Sequence, residues 1–199
     1  MKDLALFDFD GTITYKDSFF QFIKFSKGSL KTYIGLFFLF PIILLYKLKI
    51  LPNYKAKEIV ISWFFKNMQK EVFEELAREF SLNHIDKIIR TKALEEINWH
   101  KNQGNDVVIV SASIEEWLKP WCNKYNIDLI GTKLEYKNDR LTGKLSTKNC
   151  YGVEKVERLT KFYNKKEYNF IYAYGDSEGD KELLAFANKS FYKPFKEKL

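Results

Sequence analysis

Apolar and polar positions give the two halves of this chain different rhythms. Residues 4–9, Leu-Ala-Leu-Phe-Asp-Phe, form a short apolar run closed by Asp10, Gly11 and Thr12, which predicts a buried strand entering a tight turn. From Asp17 to Ser81 the apolar residues recur at helical spacing without strand alternation, predicting helices over 18–27, 29–48, 52–68 and 70–80. The second half alternates between periods: helix 87–103, strand 106–111, helix 115–125 and strand 127–131. Two strand patterns flanking Asn138-Asp139 then read as a hairpin flap, and helix 152–163, strand 169–174, helix 178–188 and a last strand over 190–192 follow. The βαβ rhythm predicts an α/β fold: a Rossmann-like parallel sheet, an inserted all-helical cap and the small hairpin. Residues 1–15 and 86–199 are expected to form the core domain and residues 16–85 the cap.

Composition narrows the class. With 46% hydrophobic and 17% aromatic residues, the 199-residue chain can bury a core, which excludes the disordered and fibrous classes. Cys122 and Cys150 have neither disulfide-framework nor zinc-knuckle spacing, so buried thiols in a reducing compartment are expected. Asp3 and Asp8 interrupt the apolar stretch that a secretory signal needs, and a cytoplasmic location is expected. Charge is unevenly spread: residues 11–70 hold ten lysines against Asp17 and Glu58, while the remainder is nearly neutral. That basic segment contains an uncharged run, residues 32–46, flanked by Lys27, Lys31, Lys47 and Lys49. As a helix it would span about 22 Å, short of the ~30 Å hydrocarbon core. We expect a buried helix kinked at Pro41; interfacial attachment to an anionic membrane is the alternative.

In a parallel sheet, reactive groups collect at the carboxyl ends of strands. Three predicted strands end usefully: in Asp8-x-Asp10, in Ser111, and in Gly175-Asp176-Ser-Glu-Gly-Asp180. Several carboxylates converging on one crevice repel one another, so a hard divalent cation with oxygen ligands, Mg²⁺, is the expected remedy, suited to a phosphate ester. A lysine would complete the charge balance, and residue chemistry alone leaves open which. Trp117 and Trp121, four apart on a predicted helix, read as core; Trp63, Phe64 and Phe65 read as lining the cap side of a pocket. His84 and His100 lack metal spacing and read as surface or capping residues.

The combination of Asp8-Phe-Asp10-Gly11-Thr12, residues 107–111 ending in Ser111, Lys155 within residues 150–155, and Gly175 to Asp180 resembles the haloacid dehalogenase superfamily of phosphohydrolases. The layout is similar to its subfamily IB, the phosphoserine-phosphatase-like group with a helical cap after the first strand. The resemblance implies Asp8 as the nucleophile that carries an aspartyl phosphate, and Asp10 as the acid that protonates the leaving oxygen and then activates water. It also implies phosphate binding by Gly11, Thr12, Ser111, Ala112 and Lys155, and Mg²⁺ held by Asp8, Asp10 through its backbone carbonyl, and Asp176, with Asp180 beside them.

The match departs where substrate is chosen. Asp17 stands for the family's early glutamate, and the cap arginine is missing, the first arginine being Arg78. Lys55 or Lys57 would offer only a point charge in its place. The apolar, lysine-flanked insert also resembles that of relatives acting on phosphatidylglycerophosphate. The expected partners are therefore a small-molecule or lipid phosphomonoester, with peripheral membrane contact through the cap in the lipid case. No nucleic acid is expected, and a non-catalytic membrane or nucleic-acid binding module is the remaining alternative.

Overall fold

A computed structural model describes residues 1–196; the last three residues of the segment expected to form the core lie outside them. The chain runs β1 (Leu4–Phe7), α1 (Ser18–Lys27), α2 (Ser29–Lys47), α3 (Asn53–Phe65), α4 (Lys70–Asn83), α5 (Thr91–Asn102), β2 (Asp106–Ile114) and α6 (Glu115–Tyr125). It continues through β3 (Asp128–Thr132), β4 (Leu134–Lys137), β5 (Arg140–Leu145), α7 (Val153–Phe162), β6 (Ile171–Gly175), α8 (Lys181–Phe186) and β7 (Lys189–Tyr192).

Five strands form one sheet in the order β3-β2-β1-β6-β7, every pair parallel. β1 is central, with Phe7 in register with Ile109 on one side and Tyr174 on the other. Side chains alternate between the faces of a sheet, and here the alternation separates two cores. Ala5, Phe7, Val107, Ile109 and Tyr174 pack with Phe22, Phe73, Phe80, Trp117 and Trp121. Leu4, Leu6, Val108, Val110 and Ala173 pack with Leu159 and Leu183 on the opposite face. Both cysteines are buried and free.

The four helices α1–α4 follow β1 before the sheet resumes. Their boundaries lie within three residues of those the periodicity predicts, and Asp17 caps α1 by accepting from the Phe20 amide at 2.8 Å. The expected burial of residues 32–46 is corrected: only Thr32, Gly35 and Leu39 of α2 are buried, whereas Phe37 is 76% exposed, and Phe38, Phe40, Leu44 and Leu48 also face outward. The helix runs through Pro41 and packs chiefly on α1 and α3, which leave much of an element that is apolar all round uncovered.

The β4–β5 hairpin is tied to these helices rather than free. Amide–carbonyl bonds join Asn67 to Leu141, Leu141 to Met68 and Lys70 to Asp139, at 2.8–2.9 Å. His100, expected at the surface or as a capping residue, is wholly buried on α5, because the Tyr174 hydroxyl at 2.9 Å and the Asn105 amide at 3.2 Å satisfy its two ring nitrogens.

Candidate active site

Parallel pairing of β2, β1 and β6 places Asp8 and Asp176 just beyond the ends of β1 and β6, with Ser111 beside them in the last residues of β2, which runs on to Ile114. Directly after Asp8 the chain turns tightly through residues 9–13, and the Thr14 amide bonds back to the Phe9 carbonyl at 3.0 Å. Gly11 permits this turn. Its φ is +85°, and a Cβ there would lie 2.6 Å from Asp176 Oδ2, so only glycine lets the first turn meet the loop after β6.

Asp8, Asp176 and Asp180 each offer a carboxylate oxygen within 4.8 Å of the others. Buried Lys155, on the first turn of α7, bridges two of them, its Nζ lying 2.6 Å from Asp8 Oδ1 and 2.6 Å from Asp180 Oδ1. Thr12 Oγ1 donates to Asp8 Oδ2 at 3.3 Å. The other Asp180 oxygen accepts from the Asp176 and Ser177 amides and the Ser177 hydroxyl. Asp176 is paired with Lys196 at 3.0 Å. Burial pushes the Asp8 carboxyl up to about 6, against the pull of Lys155. Burial would also raise Asp180, but the Lys155 charge and the Ser177 bonds hold it below the usual carboxylate range. Desolvation alone would lower Lys155, yet Asp8 and Asp180 outweigh it and fix the ammonium in its charged form.

Asp10 turns elsewhere. Its Oδ1 accepts from the Ser18 amide at 2.6 Å, and its Oδ2 from the Ser18 hydroxyl at 2.9 Å and from the Ser113 hydroxyl. Its carboxyl is not among the three clustered ones, so any share in metal binding falls to its backbone carbonyl. Burial, reinforced by the Asp17 charge, pushes Asp10 up to about 7 although the serine bonds oppose the shift. The shift moves Asp10 toward neutral pH, the direction an acid that must give and take a proton requires.

Ser111 is buried and accepts from the Ser113 amide at 3.1 Å, which directs its hydroxyl proton away from that amide. Lys57 reaches in from α3 and donates to the Ala112 carbonyl at 2.6 Å and to Asn149 Oδ1 at 2.8 Å. Asp8, Asp10, Asp17, Lys57, Ser111, Ala112, Lys155 and Asp180 all line one pocket of about 430 Å³. Its far wall is apolar, built from Phe19, Phe20, Ile23 and Trp117 together with Leu36, Ile42, Ile43 and Tyr46 of α2.

Trp63, Phe64 and Phe65 do not line this pocket, correcting the sequence expectation: Phe65 belongs to the core, and Trp63 lies beside Lys55 at a separate surface depression. Trp117 serves both core and pocket, and Trp121 is core. Sequence reasoning missed Ser18, Ser113 and Asn149. Ser113 carried a readable signal, since residues two apart on a strand share a face with Ser111; Asn149, in a loop, carried none.

The three carboxylates are hard oxygen donors of the kind Mg²⁺ takes, and they retain a negative excess beside Lys155, so the donor set fits that ion. The model of the haloacid dehalogenase-like hydrolases matches residues 5–185. Protein CicA of Caulobacter vibrioides is 34% identical over 197 residues, covering 98% of this chain and 87% of that protein. A histidinol-phosphatase of Neisseria meningitidis serogroup C is 26% identical over 208 residues, covering 95% of this chain and 89% of that one. Among solved structures, a phospho-aspartyl intermediate analogue of phosphoserine phosphatase superposes with a TM-score of 0.68 at 21% identity, over 95% of this chain and 85% of its own.

Proposed function

The chain belongs to the haloacid dehalogenase-like hydrolase family and is a phosphoric monoester hydrolase, and on that premise we propose that it works with Mg²⁺ through an aspartyl phosphate on Asp8. The observation that carries this reading is the meeting of Asp8, Asp176 and Asp180 around Lys155, with Asp10 held separately on the same pocket. Residues 1–15 and 86–199 supply the chemistry in this reading, residues 16–85 act as a cap over it, and the enzyme works in the cytoplasm.

Lys155 holds Asp8 Oδ1, leaving Oδ2 with only the long Thr12 contact as the freer nucleophile. Asp8 attacks phosphorus; the bond to the leaving oxygen breaks, and Asp10 gives that oxygen its proton. Ionised Asp10 then takes a proton from water, the water oxygen attacks phosphorus, and Asp8 is released as phosphate departs. Ser111, the amides of the first turn and Lys155 hold the phosphoryl oxygens meanwhile. Held by Asp8, Asp176 and the Asp10 carbonyl, with Asp180 behind them, Mg²⁺ would offset charge on the phosphoryl group and the attacking carboxylate.

The test is phosphate release with Mg²⁺ from a panel of phosphoserine, nucleotides, sugar phosphates, histidinol phosphate and phosphatidylglycerophosphate. The wild type should release phosphate from at least one member, and Asp8→Asn should reduce turnover at least ~10³-fold. Undiminished turnover by Asp8→Asn would overturn the reading.

A second reading of the leaving group rests on α2. Its outward face is apolar and flanked by Lys27, Lys31, Lys47 and Lys49, while its residues Leu36, Ile42, Ile43 and Tyr46 wall the pocket. A lipid phosphomonoester drawn from an anionic membrane surface would meet the apolar wall from α1 and α2, whereas phosphoserine would find no arginine in the pocket lining for its carboxylate.

A further inference from the structure

We propose that Lys57, carried by α3, is a positioning residue of the active site: by holding the Ala112–Ser113 peptide it sets the aim of both Ser111 and Ser113. The inference rests on the phosphatase reading above and assigns a task to a cation that the hydrolytic steps do not use. A peptide unit is planar and rigid, and this one is gripped at both ends. Its carbonyl, that of Ala112, accepts from Lys57 Nζ at 2.6 Å, and its amide, that of Ser113, donates to Ser111 Oγ at 3.1 Å.

The same short segment carries the hydroxyl that holds Asp10, since Ser113 Oγ donates to Asp10 Oδ2. Rotating the plane would therefore disturb the phosphate-binding serine and the serine that places the proton donor together. The pairing of β2 with β3 is irregular between Val110 and Ile114, the stretch in question.

Lys57 is itself anchored. Asn149 Oδ1 accepts from it at 2.8 Å and from Thr132 Oγ1 at 3.2 Å, and Asn149 Nδ2 donates to Asn53 Oδ1 at the start of α3. The ammonium thus ties the helical segment to the loop before α7 and to the end of β2. A lysine with two of its three protons on protein oxygens is a strut more than a free cation waiting for substrate.

The experiment compares wild type, Lys57→Met, Lys57→Arg and Asn149→Ala on substituted phenyl phosphates of increasing leaving-group basicity, with Mg²⁺. If Lys57 positions Ser113 and through it Asp10, Lys57→Met should lose only a few-fold in kcat on 4-nitrophenyl phosphate but ~10- to 100-fold on phenyl phosphate, whose leaving oxygen needs the proton. Lys57→Arg should recover part of that loss, and Asn149→Ala should shift the series in the same direction. A higher KM at unchanged kcat would make Lys57 a substrate-binding cation and overturn the proposal, as would an equal loss on both esters. Should Lys57→Met not fold, Asn149→Ala decides by the same criterion. Calorimetric binding of inorganic phosphate provides an arm independent of turnover, where Lys57→Met should weaken affinity several-fold through Ser111. Inactive wild type would overturn the phosphatase reading, and unchanged phosphate affinity in the variant would then overturn this one separately.

Discussion

The two acids of the first turn differ in what holds them. Asp8 is bonded to an ammonium, which offsets part of its burial and leaves its carboxyl near 6; Asp10 accepts from three hydroxyls and an amide, with no cation hydrogen-bonded to it, and rises to about 7. The ammonium beside Asp8 favours its ionised form, and burial favours the protonated form of Asp10, the directions that a nucleophile and an acid require. The shift also carries a cost in stability. Unfolded, Asp10 ionises near 3.9, so between about pH 4 and about pH 7 the folded chain keeps a proton that the unfolded chain has lost, and stability falls as pH rises through that window. Asp10→Asn removes the titrating group. The stability advantage of the variant, read from its higher Tm, should therefore widen from about pH 4 to about pH 7, by up to about 1.4 kcal/mol per pH unit, and then level off. Melts of both proteins across that range check it; a constant difference would mean that Asp10 is not raised by burial.

Among the elements, local pattern was enough to place most helices and strands. β1 is legible because four apolar residues precede an acid and a glycine, and α1–α4 because their apolar residues keep helical spacing. The covering of an element is not local. α2 reads as apolar on every side, which in a larger insertion would mean burial, and only its tertiary setting, chiefly against α1 and α3, reveals that most of it faces outward. The hairpin pattern was readable, but its bonding to Asn67 and Lys70 spans about seventy residues and left no mark in the sequence. If α2 docks on anionic lipid, the wild type should float with vesicles containing phosphatidylglycerol and less so as salt rises. Phe37→Glu combined with Phe40→Glu should cut vesicle binding ~100-fold or more, since each phenylalanine is worth about 1.5–3 kcal/mol when buried. Neither residue lines the pocket, so kcat on a soluble aryl phosphate should stay within about two-fold. A wild type that stays below the vesicles would remove the lipid reading and leave the phosphatase untouched.

Across the whole molecule, the site is a meeting of distant segments. Asp8 comes from the first strand, Ser111 from β2, Lys155 from α7, and Asp176 and Asp180 from the loop after β6, so the motif order in the chain exposed the set while their mutual distances depended on sheet order. Bringing three carboxylates within 4.8 Å beside one buried ammonium leaves repulsion that the folded state must bear, and binding a divalent cation should relieve it. Any ligand that favours the folded form stabilises by mass action, about 2.7 kcal/mol at a hundredfold excess over Kd. For a domain of this size that corresponds to a rise in Tm of about 5–10 °C on adding Mg²⁺. Asp176 is the informative position, because its described side-chain partner is the half-exposed Lys196, and Asp176→Asn should leave the metal-free Tm nearly unchanged. The same variant should lose most of the Mg²⁺-induced rise. Scans with and without Mg²⁺ decide it without any turnover: an undiminished rise in Asp176→Asn would place the ion away from these three carboxylates, and the charge balance proposed for phosphoryl transfer would fail with it.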